Sequence, residues 1–177
     1  MRIIKPIVLS ATMLFLLSFM ACVKENVGFT QHFSPLNAVP GGPSGPATNK
    51  LKVQPYCCPS TAIEITALNN GAITDTDLQW VEIPLNGIQS GQIKDVTVCY
   101  QVMGTGDSYI SQVRLTEMTL PNTATVMLDD GKNNNSKTPI CYTTPAVFEV
   151  KGTITLALRI VLAPNDKILV SGISISR

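Results

Sequence analysis

Hydrophobic and polar residues alternate most regularly between Thr153 and Leu162, where the sequence reads TITLALRIVL. This period of two is typical of a β-strand with one face in a core and the other nearer water. Arg159 lies on the second face and argues against burial on both sides, because a lone buried charge is costly. The pattern predicts a central strand whose inward row is Ile154, Leu156, Leu158, Ile160 and Leu162.

Shorter segments with the same alternation occur along the rest of the chain after its N-terminal part. Turn-forming sequences separate them, for example Asn69-Asn70-Gly71 and Gly104-Thr105-Gly106. We expect residues 109–118 to return antiparallel to residues 93–103 as a hairpin. The predicted strands are 61–67, 78–85, 93–103, 109–118, 123–129, 138–142, 153–162 and 167–176.

About eight short strands separated by turns predict an all-β fold, an antiparallel β-sandwich with jelly-roll-like topology. An immunoglobulin-like sandwich is the alternative. That alternative is disfavoured because Trp80 precedes Cys99 instead of lying between Cys99 and Cys141. No strong helical periodicity is present beyond the N-terminal apolar segment.

The N-terminus has the features of a secretory signal. Arg2 and Lys5 precede an apolar run over residues 7–20. This run is too short and too close to the terminus for a comfortable membrane-spanning helix. We therefore expect an exported protein.

The end of this run, Leu17-Ser18-Phe19-Met20-Ala21-Cys22, resembles a bacterial lipobox, in which a lipid is attached to the cysteine. Ala21 and Cys22 match the lipobox pattern, whereas Phe19 and Met20 replace the usual Leu and small residue. The resemblance implies lipid attachment at Cys22 and a membrane-anchored lipoprotein of the cell envelope. An ordinary cleaved signal and a secreted protein are the alternative.

Three regions follow from these patterns. Residues 1–21 are predicted to be a signal peptide. Residues 22–52 contain many Pro and Gly residues and little periodicity, which predicts a flexible tether. Residues 53–177 are predicted to form the β-sandwich domain.

The charge balance and the histidine content exclude several classes of function. Lys and Arg total 13 and Asp and Glu total 12, so no excess of positive charge favours a nucleic-acid partner. The single histidine, His32, lies in the predicted tether, which leaves a catalytic triad without its base. We therefore predict a protein that is not an enzyme and has no cofactor. Glutamates in or beside strands could still supply a glycosidase pair; these are Glu64, Glu82, Glu117 and Glu149.

The cysteines other than Cys22 are disulfide candidates, because an exported chain meets an oxidising compartment. Cys99 and Cys141 each lie on a predicted strand, and their pairing is favoured. Cys57 and Cys58 are then either linked to each other or kept as thiols.

Residues 129–137 form a polar loop in which Asp129, Asp130 and Asn133 are weak candidates for calcium ligands. The EF-hand spacing is absent, because Lys132 follows Gly131 and no glutamate closes the loop. A polar hairpin turn is the preferred interpretation.

Trp80, Tyr109 and Tyr142 are the candidate ligand-binding residues. Trp80 lies on a predicted edge strand that ends at Pro84, and we expect it to be the most exposed aromatic side chain. The sequence thus favours a non-catalytic binding or adhesion module with a glycan as the candidate ligand. A structural or accessory lipoprotein that docks a protein partner is the alternative, and a carbohydrate-active enzyme is the second alternative.

Overall fold

Alternating apolar residues of the long strands face one another across two antiparallel β-sheets. The computed structural model describes residues 28–41, 49–57, 62–88, 90–119, 121 and 123–177. The strands are β1 Thr30–Phe33, β2 Val39–Gly41, β3 Leu51–Pro55, β4 Ile63–Ala67, β5 Trp80–Leu85, β6 Gly91–Met103, β7 Tyr109–Thr119, β8 Thr123–Asp130, β9 Ile140–Val150, β10 Thr153–Val161 and β11 Lys167–Ser176. Short 3-10 turns lie at Pro35–Asn37, Leu68–Asn70 and Asp75–Asp77.

One sheet has the order β3-β4-β11-β6-β9, with β1 also paired to β11, and the other has the order β2-β5-β10-β7-β8. β4 pairs with the first part of β11 and β1 with its last part, so both lie along the same side of that strand. All of these pairings are antiparallel. The predicted fold class, an all-β sandwich with jelly-roll-like topology, is confirmed.

The predicted central strand is β10, which lies between β5 and β7. Leu156, Leu158 and Ile160 are completely buried, and Ile154 is 2% exposed. They belong to one apolar core, to which both sheets contribute. Burial of each such side chain contributes about 1.5–3 kcal/mol to the free energy of folding, and the two sheets therefore pack with these faces together.

Residues 30–33 and 39–41 lie within the segment 22–52, for which the sequence predicted a flexible tether. β1 pairs with β11 in the six-stranded sheet, and β2 pairs with β5 in the five-stranded sheet. Between them a turn begins at Pro35, and the Ser34 hydroxyl accepts a hydrogen bond from the amide of Leu36. The ordered domain thus includes strands before residue 53, because backbone pairing at a sheet edge requires no apolar alternation.

The signal segment and Cys22 lie outside the described residues, as do residues 42–48. Within the part of the chain that the structure describes, no helix has the length and apolarity needed to cross a membrane.

The predicted hairpin between residues 93–103 and 109–118 is wrong, because β6 and β7 belong to different sheets. The connecting loop crosses from one sheet to the other and is held by Asp166, which is 5% exposed. Its carboxylate accepts hydrogen bonds from the Thr105 amide at 3.1 Å and the Ser108 hydroxyl at 2.7 Å. Gly104 has a φ of +133°, and a Cβ there would collide with Asp166. Asp166, which is distant in sequence, thus fixes the conformation of this loop, although the glycines of the loop would also suit a β-hairpin turn.

Cys99 and Cys141 form a disulfide, which confirms the favoured pairing. They lie directly opposite each other on β6 and β9, with Cα atoms 3.9 Å apart, on the outer face of the six-stranded sheet. Cys57 lies exposed after β3, and Cys58 lies outside the described residues.

Candidate functional site

A groove of about 660 Å³ lies on the outer face of the five-stranded sheet. Three neighbouring strands supply its floor and walls, and Leu78 closes one side. The other lining residues are Trp80 and Glu82 from β5, Gln112, Arg114 and Thr116 from β7, and Ala157 and Arg159 from β10.

The period-two pattern of the three strands produces this surface, because residues between the core-facing positions all point outward. In the centre of the sheet, Ala157 is directly opposite Glu82 on one side and Arg114 on the other. In the next row, Arg159 lies between Trp80 and Gln112. The small side chain of Ala157 leaves a hollow between larger neighbours, and this hollow is the middle of the groove.

Trp80 lies in the groove but is only 7% exposed, whereas Tyr109 and Tyr142 are partly exposed, so the expectation that Trp80 is the most exposed aromatic side chain is wrong. The guanidinium carbon of Arg114 lies 4.6 Å from the centroid of the indole ring. This cation–π contact covers the ring and adds to its packing. β5 is also not an edge strand, since β2 pairs with it over Val39–Gly41.

Arg114 is itself held by an ion pair with Asp129 on β8. Its Nε lies 3.2 Å from Asp129 Oδ1 and its Nη2 lies 3.1 Å from Oδ2, a bidentate arrangement that fixes the guanidinium plane. The amide of Gln112 also donates to Asp129 Oδ1. The indole, the guanidinium and the carboxylate therefore form one connected cluster on the outer face.

A second cluster closes the end of the groove at Arg159. The Nη2 of Arg159 donates to the backbone carbonyl of Asp75 and lies 3.8 Å from its Oδ1. The hydroxyl of Tyr109 donates to Asp75 Oδ2 at 2.8 Å. This hydrogen bond, with burial, raises the pKa of Tyr109. The predicted candidate Tyr109 thus lies beside the groove, connected to it through Asp75.

Glu82 differs from the other charged groups of the groove. It is partly buried and packs against Gly41, where a Cβ would collide with its side chain. Within the part of the chain that the structure describes, its carboxylate has no hydrogen bond or ion pair. Glu82 therefore leaves two acceptor oxygens available to a ligand.

Tyr142, the third aromatic candidate, is not part of the groove. It projects between the sheets from β9, and its hydroxyl donates to Asp130 Oδ2 at 2.5 Å. Burial and this hydrogen bond raise the pKa of Tyr142 to about 12. The ammonium of Lys132 lies 5.1 Å from the centroid of its ring.

The candidate calcium ligands do not converge. Asp129 is paired with Arg114 on the outer face, whereas Asp130 accepts from Tyr142 and from the amide of Lys132. Asn133 is exposed in the following loop. Among the described residues, no group of three His, Cys, Asp or Glu side chains could hold a metal ion.

The strand glutamates are likewise separated. Glu64, on β4, forms an ion pair in which its Oε2 lies 2.8 Å from the Nζ of Lys167. Glu149 is exposed on β9. Glu117 is buried and accepts from the amide of Gly152 at 2.7 Å. Of these predicted candidates, Glu82 alone lines the groove, so they do not provide the carboxylate pair that glycoside hydrolysis requires.

Sequence reasoning missed Gln112, Arg114 and Ala157 as site residues. The available signal was the polar row Gln112, Arg114 and Thr116 on the face of β7 opposite its core positions. Using that signal also requires knowing that β7 lies beside β10, which alternation within a single strand cannot show.

No protein-family model and no curated protein matches the sequence. Solved structures do match in fold. The CBM22-1 xylan-binding domain from Paenibacillus barcinonensis Xyn10C matches with a TM-score of 0.52 and 8% identity, over 84% of this chain and 95% of that one. The CBM22-1–GH10 modules of Clostridium thermocellum xylanase 10B, complexed with xylohexaose, match with a TM-score of 0.52 and 10% identity, over 84% of this chain and 28% of that one. At these identities the likeness establishes the β-sandwich fold.

Proposed function

We propose that this protein is a non-catalytic glycan-binding module whose ligand lies in the groove of the five-stranded sheet. The observation that carries the proposal is the grouping of an indole, a hollow at Ala157 and several polar side chains on one outer face. Sugar rings present apolar C–H faces together with many hydroxyl groups, and this surface offers partners for both.

The groups of the groove divide these tasks. Ala157 and the small part of the Trp80 indole that Arg114 leaves uncovered supply apolar surface in the middle of the groove, and Gln112 and Arg159 supply N–H donors near one end. Glu82 supplies carboxylate oxygens, which form strong hydrogen bonds with hydroxyl donors. The neighbouring fold described as a xylan-binding domain supports a glycan as the ligand class.

The proposal includes display at the cell envelope. The signal-like N-terminus would direct export, and a lipid on Cys22 would anchor the domain to a membrane. The residues between Cys22 and β1 would then link the anchor to the domain.

The proposal is tested by screening the folded domain against a glycan array and measuring each positive ligand by calorimetry. Trp80→Ala removes the indole, and Ala157→Leu fills the hollow while the indole stays in place. We expect both variants to lose at least about tenfold in affinity.

Tyr56→Ala is the control. Tyr56 follows β3 of the other sheet and contacts Lys167 at the start of β11, so this variant should leave binding unchanged. Circular dichroism shows whether each variant is folded. Binding that persists in a folded Ala157→Leu variant would place the ligand elsewhere, and the absence of binding to any glycan would reject the proposal.

Docking of a protein partner is the second candidate function. Apolar side chains are exposed near the open edges of the sandwich, with Val147 at 72%, Met118 at 52%, Val126 at 51% and Ile140 at 49% exposure. Exposed apolar side chains that cluster on a surface commonly mark protein interfaces. Stoichiometric capture of one envelope protein, lost in Val147→Lys and retained in Ala157→Leu, would favour this function.

A further inference from the structure

We propose that the groove takes an uncharged glycan and that Glu82 is the residue that excludes acidic glycans. This inference rests on the proposed glycan site. It follows from the way charges are paired on the outer face of the five-stranded sheet.

Both arginines of the groove already have acidic partners. Asp129 engages Arg114 through two hydrogen bonds, at 3.2 and 3.1 Å. Asp75 engages Arg159 through its backbone carbonyl and its carboxylate. A carboxylate on a sugar would meet guanidinium groups whose charge is already balanced, and the paired aspartate would lie nearby as a like charge.

Glu82 adds a negative charge without a partner among the described residues. With two arginines and three carboxylates, the groove and the groups that contact it have a net charge of −1. Hydroxyl groups can donate to Glu82, whereas an ionised uronic acid has no proton to donate and is repelled. The unpartnered carboxylate thus favours a ligand rich in hydroxyls and without negative charge.

A lysine beside the wall of the groove is also paired. Lys50 donates its backbone amide to Gln79, which follows the wall residue Leu78, and its ammonium lies 2.5 Å from Asp77. Lys50 therefore does not supply an unpaired positive charge at this wall.

Arg114 is constrained in a second way that favours the same ligand class. Its guanidinium lies over the Trp80 ring while both of its bonded nitrogens face Asp129. An acidic ligand would gain little attraction from this already paired guanidinium and would be repelled by Asp129, whereas a neutral ligand can contact the cluster without changing its charge balance.

The test compares neutral hexasaccharides of several backbones with uronic-acid hexasaccharides of the same length, at low ionic strength where charges are least screened. Calorimetry is performed on the wild type, Glu82→Gln, Glu82→Lys and Glu149→Lys. Glu149 is exposed on β9 of the other sheet, so Glu149→Lys gives the same change of net charge away from the groove.

We expect the wild type to bind a neutral chain and to bind acidic chains at least about tenfold more weakly. Glu82→Lys should raise acidic-chain affinity by roughly tenfold, and Glu82→Gln, which keeps the side-chain shape, by roughly threefold. Glu149→Lys should leave the preference unchanged.

Two results would overturn the inference while leaving the glycan-binding function intact. They are wild-type affinity for acidic chains that equals or exceeds that for neutral chains, and equal effects of Glu82→Lys and Glu149→Lys. If no chain of either class binds to any variant, the proposed function fails, and this inference fails with it.

Discussion

The hydroxyl of Tyr142 donates a hydrogen bond of 2.5 Å to the carboxylate of Asp130 and so joins the two sheets. Tyr142 lies on β9 and Asp130 at the end of β8, the outermost strands of their respective sheets. Burial alone would raise the pKa of Asp130, but the hydrogen bonds from Tyr142, Thr144 and Lys132 lower it. One contact thus stabilises the protonated phenol and the ionised carboxylate together.

Stability should therefore fall at alkaline pH because of Tyr142. Its folded-state pKa of about 12 lies above the unfolded value of about 10. The contribution of this group is complete below pH 10 and is lost as the pH rises towards 12. Urea unfolding of the wild type should show this decline in the free energy of unfolding. Tyr142→Phe should be less stable than the wild type at pH 8, and its free energy of unfolding should fall less above pH 10. Parallel curves for both proteins above pH 10 would contradict the assignment.

The inward row of β10 should dominate the stability of the domain. Leu158→Ala removes a completely buried side chain from the core and should reduce the free energy of unfolding by about 2–5 kcal/mol. Arg159 lies on the outer face, and its side chain is 22% exposed. Arg159→Ala should therefore reduce the free energy of unfolding by only about 1 kcal/mol. Chemical denaturation measures both values, and a larger loss in Arg159→Ala would contradict the assignment of faces.

The Cys99–Cys141 disulfide should stabilise the domain by restricting the unfolded chain. The cysteines are 42 residues apart, and a loop of this length corresponds to about 4 kcal/mol in the loop-entropy model. The double variant Cys99→Val/Cys141→Val should unfold at a lower denaturant concentration. Peptide mapping without reductant should recover one peptide pair joining these cysteines; a peptide joining either of them to Cys57 or Cys58 would refute the pairing.

The lipobox resemblance predicts acylation at Cys22. Metabolic labelling with a palmitate analogue should label the wild type and leave Cys22→Ser unlabelled, because the thiol is the attachment atom. A Cys57→Ser variant is the matched control and should be labelled normally. Equal labelling of the wild type and Cys22→Ser would reject the anchor.

Period-two alternation predicted the interior of the fold well, because burial on one face of a strand is a local property of its sequence. β10 and β11 are close to their predicted bounds, and the inward row of β10 is buried as expected. The predicted strand at 138–142 is instead the start of the longer β9, which continues past Pro145. The register of β9 with β6 shifts near Pro145, so an irregular ladder accommodates a residue that normally interrupts strands.

The site was harder to predict, because its geometry depends on partners distant in sequence. Trp80 is covered by Arg114, whose orientation depends on Asp129. Neither contact can be inferred from the polar neighbours of Trp80, which suggested an exposed ring. The short strands β1 and β2 were missed for a related reason, since their backbone partners on β11 and β5 define them.

The placement of β1 and β2 has a mechanical consequence. A pulling force applied to the chain before residue 30 would reach the four-residue β1 on one sheet and then the three-residue β2 on the other. Only after both had detached would the load pass along the chain to β3 and β4, and then to β5. The covalent bond between β6 and β9 lies outside this load path and would not resist the first steps. The two short strands would thus yield first under tension, and the loss of β2 would remove the backbone partner of β5 beside Trp80 and Glu82.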